Sequence, residues 1–150
     1  IFHEGHFPTP SGKASFSTDA LTSQDVPEGE LRLMTVRSEG QFNTVVYEEQ
    51  DIYRGQERRD VILLNPEDIR NLGLKEDDEV TVISAIAKMG PLKLRPFDIR
   101  QGNALMYFPE ANVLVSKEID PVSRTPSFKN VFVKVSRYKA EAGKTPLAVV

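Results

Sequence analysis

Short apolar runs, each too brief for a helix and each stopped by turn residues, constrain this chain more than any other feature. Leu31-Arg32-Leu33-Met34-Thr35-Val36 alternates apolar and polar residues, the period of a strand with one buried face. Val61-Ile62-Leu63-Leu64 is continuously apolar, as a strand buried on both faces must be. Residues 79–83, Leu92-Lys93-Leu94, 104–108 and 131–135 read as further strands, and 42–47 as a short one between the first two. A single helix interrupts them. Asn65 serves as its N-cap, Pro66 fits the first helical position, and Glu67 and Asp68 sit at the positive end of the helix dipole. It ends near Leu72, where Gly73 can take the left-handed capping conformation. About six strands at spacings of roughly ten to twenty residues, beside one short helix, predict a mainly β fold closed into a small barrel.

The chain of 150 residues has the size of one domain with one core. Residues 1–30 are punctuated by Pro8, Pro10, Gly12, Pro27 and Gly29, and within them only Lys13-Ala14-Ser15-Phe16 reads as a short strand. This stretch is expected to be a lead-in arm or interdomain connection, with the folded body spanning 31–150. A start at Ile1 rather than Met suggests an excised fragment. The absence of cysteine excludes disulfides, thiolate metal sites and iron–sulfur ligation within these residues. It suits a reducing compartment, so a cytoplasmic location is expected. Acidic residues outnumber basic ones, 22 to 19, with the signs interspersed. No basic face for nucleic acid emerges. No apolar run approaches the roughly 20 residues that span a bilayer, and the first residues have no secretory pattern.

Familiar catalytic motifs fail on inspection. Gly143-Lys144-Thr145 resembles the end of a P-loop, but position 138, where that loop requires glycine, holds Tyr138. Ser11-Gly12-Lys13 is followed by Ala14, which leaves no hydroxyl for magnesium. His3 and His6 lie in the open arm without the helical spacing or third ligand of a zinc site. With no other histidine and no cysteine, nucleophilic triads are absent. Glu48-Glu49 and Asp77-Asp78 fall in turns, and the whole stretch 48–60 reads as a polar surface loop. No catalytic residue and no metal ligand is assigned.

Three clusters place polar residues where strands end. In Thr35-Val36-Arg37-Ser38-Glu39-Gly40-Gln41-Phe42-Asn43-Thr44, a strand delivers an Arg into a glycine-containing loop, and two amides and a hydroxyl follow. The Arg fork suits phosphate oxygens, while Gln and Asn can donate and accept along one heterocycle edge. The second cluster is the segment Met106 to Leu114, with Phe108 and Asn112. The third runs from Asp120 to Lys129 and carries Phe128 and Lys129. Prolines stiffen both loops.

In order and spacing these clusters resemble the C-terminal molybdopterin-dinucleotide-binding domain of the dimethyl-sulfoxide-reductase superfamily, nearest to formate-dehydrogenase-like alpha subunits. The similarity covers almost the whole chain. Pro8-Thr9-Pro10-Ser11-Gly12-Lys13-Ala14 looks like the strand leading into that domain. The passage from Asn65-Pro66-Glu67-Asp68 to Gly73-Leu74-Lys75-Glu76-Asp77-Asp78-Glu79-Val80 is similar to its helix-to-strand segment. The resemblance implies a six-stranded double-psi β-barrel with short helices. It implies one wall of a bis-molybdopterin guanine dinucleotide site carrying molybdenum or tungsten, with the remaining domains of a parent subunit as partners. Arg37, Ser38, Gln41, Asn43 and Thr44 would line the pterin and its phosphates. Asn112, Phe128 and Lys129 would complete the wall, with Phe108 beside them. The metal ligand would come from another domain.

Many formate dehydrogenases carry His at the position of Gln41 and a small hydroxyl residue at that of Asn43. The resemblance therefore implies the cofactor and leaves the substrate open. The alternative is a double-psi barrel acting as substrate adaptor of a ring ATPase, which residues 73–80 would fit. An adaptor has no use for the polar clusters. An independent small enzyme on such a barrel would need catalytic groups that the chain lacks. On the favoured reading, the loop 37–44 and the Phe128-Lys129 loop share one rim, with Arg37, Gln41, Asn43 and Lys129 facing outward into a shallow groove.

Overall fold

Six strands and two short helices form around the apolar runs: β1 (Leu31–Val36), β2 (Val61–Leu64), α1 (Pro66–Asn71), β3 (Glu79–Ser84), β4 (Lys88–Pro96), β5 (Asn103–Tyr107), a 3-10 helix (Glu110–Leu114) and β6 (Val131–Arg137). The computed structural model describes residues 4–5, 7–20, 25–38, 40–41 and 48–140. The strands close on themselves in the order β1-β5-β2-β4-β3-β6. Two of the pairings are parallel, β1 with β5 and β2 with β4; the others are antiparallel. This is a double-psi β-barrel, mainly β with short helices.

Register follows from alternation. Leu31, Leu33 and Thr35 of β1 are buried while Arg32, Met34 and Val36 are half-buried, because successive side chains face opposite sides of a sheet. The barrel interior holds Leu33, Ile62, Leu64, Val80, Leu94 and Met106, all at most 1% exposed. Val61 and Leu63 point the other way, into a second apolar cluster with Leu105 and Tyr107 that is covered by Phe97 and Ile99. The two clusters explain why β2 is apolar throughout.

The helix starts and stops as its residues require. Asn65 Oδ1 accepts from the Glu67 amide at 2.8 Å, and Gly73 follows the helix at φ +66°, a conformation natural to glycine. Gly90 answers a different need. A Cβ there would meet the Val80 carbonyl oxygen at 2.9 Å, beside the register shift between Val80 and Val82, so the close approach of β4 to β3 requires glycine. With that approach β4 begins at Lys88, well before the alternating triplet 92–94 that reveals it in sequence.

Two expectations are corrected. Lys13-Ala14-Ser15-Phe16 is no strand. It has no partner strand among the described residues, and Phe16 is 91% exposed. The stretch 48–60 is not wholly a surface loop, since Asp51 and Arg59 are buried in it. The strand expected at 42–47 lies outside the described residues. Among the described residues no helix is long and apolar enough to cross a membrane.

Candidate cofactor site

Parallel pairing of β1 with β5 sends both chains out at the same end of the barrel, with Val36 beside Tyr107. The antiparallel partner β6 begins at that end, and β2 begins there as well. The loop after β1, the turn after β5 and the segment before β6 therefore form one rim. Backbone bonds fix it: the Phe108 amide donates to Val36 O at 2.8 Å and the Thr35 amide to Phe128 O at 3.0 Å. Arg37 and Lys129 thus stand on one rim although more than ninety residues separate them in sequence (129 − 37 = 92).

Arg37 is exposed, with its guanidinium 5.2 Å from the centroid of the half-buried Phe108 ring. The Lys129 ammonium donates to Thr35 O. Among the described residues neither cation has a carboxylate partner. Burial, and then the nearby charges of Arg37 and Arg54, push the Lys129 ammonium below the usual lysine range. The rim therefore concentrates positive charge that no carboxylate of the described residues pairs. Asn112, on the 3-10 helix, keeps its Oδ1 buried with no donor among the described residues. A buried acceptor left so is costly, and it points to a ligand that supplies an N–H or O–H.

Ser38 and Gln41 are placed differently from the expectation. Both are buried, and the Gln41 carboxamide turns inward rather than out into a groove. Its Nε2 donates to Phe108 O at 3.0 Å, and its Oε1 accepts from the Ser38 amide at 3.3 Å. The reason is Arg59, which the sequence did not mark. Its guanidinium donates to Ser38 Oγ at 2.7 Å, to Phe108 O at 2.6 Å, and to Glu110 at 2.6 and 3.0 Å. A buried fork of five donors needs acceptors on every side, and Ser38, Gln41 and Glu110 supply them. Tyr107 packs its ring 5.0 Å from the same guanidinium.

Behind this lies a second buried pair. The Tyr107 hydroxyl donates to Asp51 Oδ2 at 2.9 Å, Arg54 donates to that oxygen at 2.6 Å, and the same Arg54 nitrogen reaches Arg37 O at 3.1 Å. Burial works to raise the Asp51 pKa, but the hydrogen bonds from Arg54 and Tyr107 outweigh it and hold the carboxyl below the ordinary range. Burial and the Asp51 carboxylate push the Tyr107 phenol upward, so it remains a donor. The one sequence signal for Arg59 is its place in Arg58-Arg59-Asp60, directly before the wholly apolar β2. Asn43 and Thr44 lie outside the described residues.

A model of the "Molydopterin dinucleotide binding domain" family matches residues 31–132. The chain belongs to this family. An uncharacterized oxidoreductase of Mycobacterium tuberculosis is 36% identical over 140 residues, 86% of this chain and 18% of that protein. Protein YdeP of Escherichia coli is 31% identical over 144 residues, 88% of this chain and 19% of that protein. The molybdopterin-binding domain thus spans less than a fifth of these curated relatives. Acetylene hydratase from Pelobacter acetylenicus shares the fold at a TM-score of 0.54 and 17% identity, over 72% of this chain and 18% of that one.

The rim of this molybdopterin-binding domain suits such a ligand. A pterin dinucleotide brings phosphate charge, which Arg37 and Lys129 can balance, and heterocycle N–H donors, which the orphaned Asn112 Oδ1 can accept. Among the described residues no group of three or more His, Cys, Asp or Glu side chains could hold a metal ion.

Proposed function

We propose that this domain holds one side of a bis-molybdopterin guanine dinucleotide, carrying molybdenum or tungsten, in a formate-dehydrogenase-like oxidoreductase whose other domains enclose the rest. Residues 31–150 form the holding domain and residues 1–30 the arm that connects it to the parent subunit. The observation that carries this reading is the rim itself, where the unbalanced cations Arg37 and Lys129 stand on segments joined to that of Asn112, whose buried acceptor is unused. When bound, the cofactor supplies the oxidation–reduction chemistry. The chain's own residues bind, orient and exclude water. Arg37 and Lys129 take phosphate oxygens, Asn112 accepts from a ring N–H, and Phe108 and Phe128 wall off solvent. Asn43 and Thr44, outside the described residues, are assigned to the pterin from the sequence resemblance. Ser38 and Gln41 hold that loop in shape through Arg59.

The test is cofactor content. In the full-length parent, Arg37→Ala, Lys129→Ala and Asn112→Ala should each lower the molar ratio of metal and guanine dinucleotide to polypeptide. A charge-assisted contact corresponds to about tenfold in affinity or more. Wild-type ratios in all three variants would overturn the assignment.

A further inference from the structure

Arg59 stands apart from the rim surface yet touches most of what shapes it. Its side chain is 6% exposed, and its polar partners come from separate stretches of chain. Ser38 and Gln41 lie in the loop that carries Arg37. The Phe108 carbonyl lies in the turn after β5. Glu110 lies on the short helix that carries Asn112 two residues later. Glu110 in turn holds the Arg59 guanidinium firmly in its charged form. The fork therefore ties these segments to one another, and the segments so tied present the Arg37 cation and the Asn112 acceptor.

We propose that Arg59 is a positioning residue that sets the gap between Arg37 and Asn112, and that only the planar guanidinium can do so. The inference rests on the cofactor reading above. The chemistry separates two roles. A plain ion pair with Glu110 needs one positive charge, which lysine also provides. Simultaneous bonds to Ser38 Oγ, Phe108 O and both Glu110 oxygens need the rigid fork, which a single ammonium cannot reproduce. With lysine at position 59 the rim would keep its cations and its fold, but the two loops would no longer be held to one spacing. A bidentate ligand is sensitive to such slack, since misplacement of a contact by about an ångström loses most of its benefit.

The experiment uses the full-length protein with its cofactor. Arg59→Lys is compared with Asp68→Asn, which weakens the opposite end of the barrel, where Asp68 Oδ2 accepts the Gly102 amide at 2.7 Å. For each, the metal-to-polypeptide ratio and the rate of cofactor release at fixed temperature are measured beside the melting temperature of the cofactor-free protein. Positioning requires Arg59→Lys to lose about tenfold in cofactor retention, more than its melting temperature accounts for, while Asp68→Asn retains it whatever its change in melting temperature. Alkylguanidinium added during cofactor loading of Arg59→Ala should restore retention in part, and alkylammonium should not. If Arg59→Lys does not fold, Ser38→Ala carries the test, because it removes one arm and leaves the ion pair; it should show a smaller loss of the same kind. Normal retention in the folded Arg59 variant, or losses that merely follow melting temperature in both proteins, would overturn the inference. Loss in Arg37→Ala and Asn112→Ala with none in Arg59→Lys would sink this inference alone. Retention in all of them would sink the cofactor reading with it.

Discussion

At the end of the barrel where β2 runs into α1, neutral amides and one acid seal the strands. Asn65 caps the helix and also donates to Ile99 O at 2.6 Å, while Asp68 accepts the Gly102 amide. At the other end, Arg59, Glu110, Asp51, Arg54 and Tyr107 make a buried ionic scaffold, with Arg37 and Lys129 above it. The first end combines a helix cap two residues long with bonds that reach 34 residues along the chain. The second ties together several segments, the farthest 51 and 56 residues apart. A seal needs each backbone group satisfied once, whereas a binding rim needs several loops held to one geometry. Interlocked charges can do that, at the cost of desolvating them.

The comparison breaks most readily at Arg59. Arg59→Ala leaves Glu110, Ser38 and the Phe108 carbonyl without their donor, and should cost about 3–5 kcal/mol in urea unfolding of the isolated domain. At the sealed end Asp68→Ala orphans one half-buried amide and should cost about 1 kcal/mol. Equal losses would mean that the two ends are built alike.

Acid sharpens the same contrast. The folded Asp51 carboxyl has a lowered pKa, so the stability it contributes is present above the unfolded value of about 4 and is lost as pH falls through the depressed one. Asp51→Asn should therefore be less stable than wild type at neutral pH and should show a flatter decline in melting temperature below about pH 4. A decline parallel to wild type would show that Asp51 is not part of the latch.

The smallest effect concerns Lys129. Its ammonium should titrate below ordinary lysine when followed by carbon NMR of the ε position. Arg37→Gln should move it only part of the way back, because burial is the larger cause and Arg54 remains. Protonated Lys129 is disfavoured in the folded state, so stability should rise slightly with pH between its lowered pKa and about 10.5, and level off above. An unmoved titration in Arg37→Gln would mean that the two cations do not share a field.

The sealed end was legible in the sequence because its signals are local. Asn65-Pro66-Glu67-Asp68 and Gly73 carry a helix's start and stop within nine residues, β1 and β3 announce themselves by alternation, and β5 and β6 as short apolar runs. The rim was legible only as positions, namely Arg37, Phe108, Asn112, Phe128 and Lys129 at strand ends. Arg59 and Asp51 sit in a stretch so polar that solvent exposure is its natural reading, and their partners lie 51 and 56 residues away. No periodicity reports a contact of that range. The inward turn of Gln41 escaped for the same reason, since it depends on the unseen guanidinium. The true length of β4 escaped because Gly90-Pro91 reads as a break until the neighbouring strand is in place.

Closure of the barrel carries a consequence for how the domain joins anything larger. Every one of the six strands is flanked on both sides, so among the described residues the barrel has no outermost strand to recruit another from elsewhere. On the proposed reading of a larger subunit, attachment would then fall to side chains on the loops, such as Ile52 and Tyr53, which stand 70% and 74% exposed directly beside Arg54. A module joined in this way can be exchanged among unrelated neighbours by altering its surface loops, with its ladders left untouched.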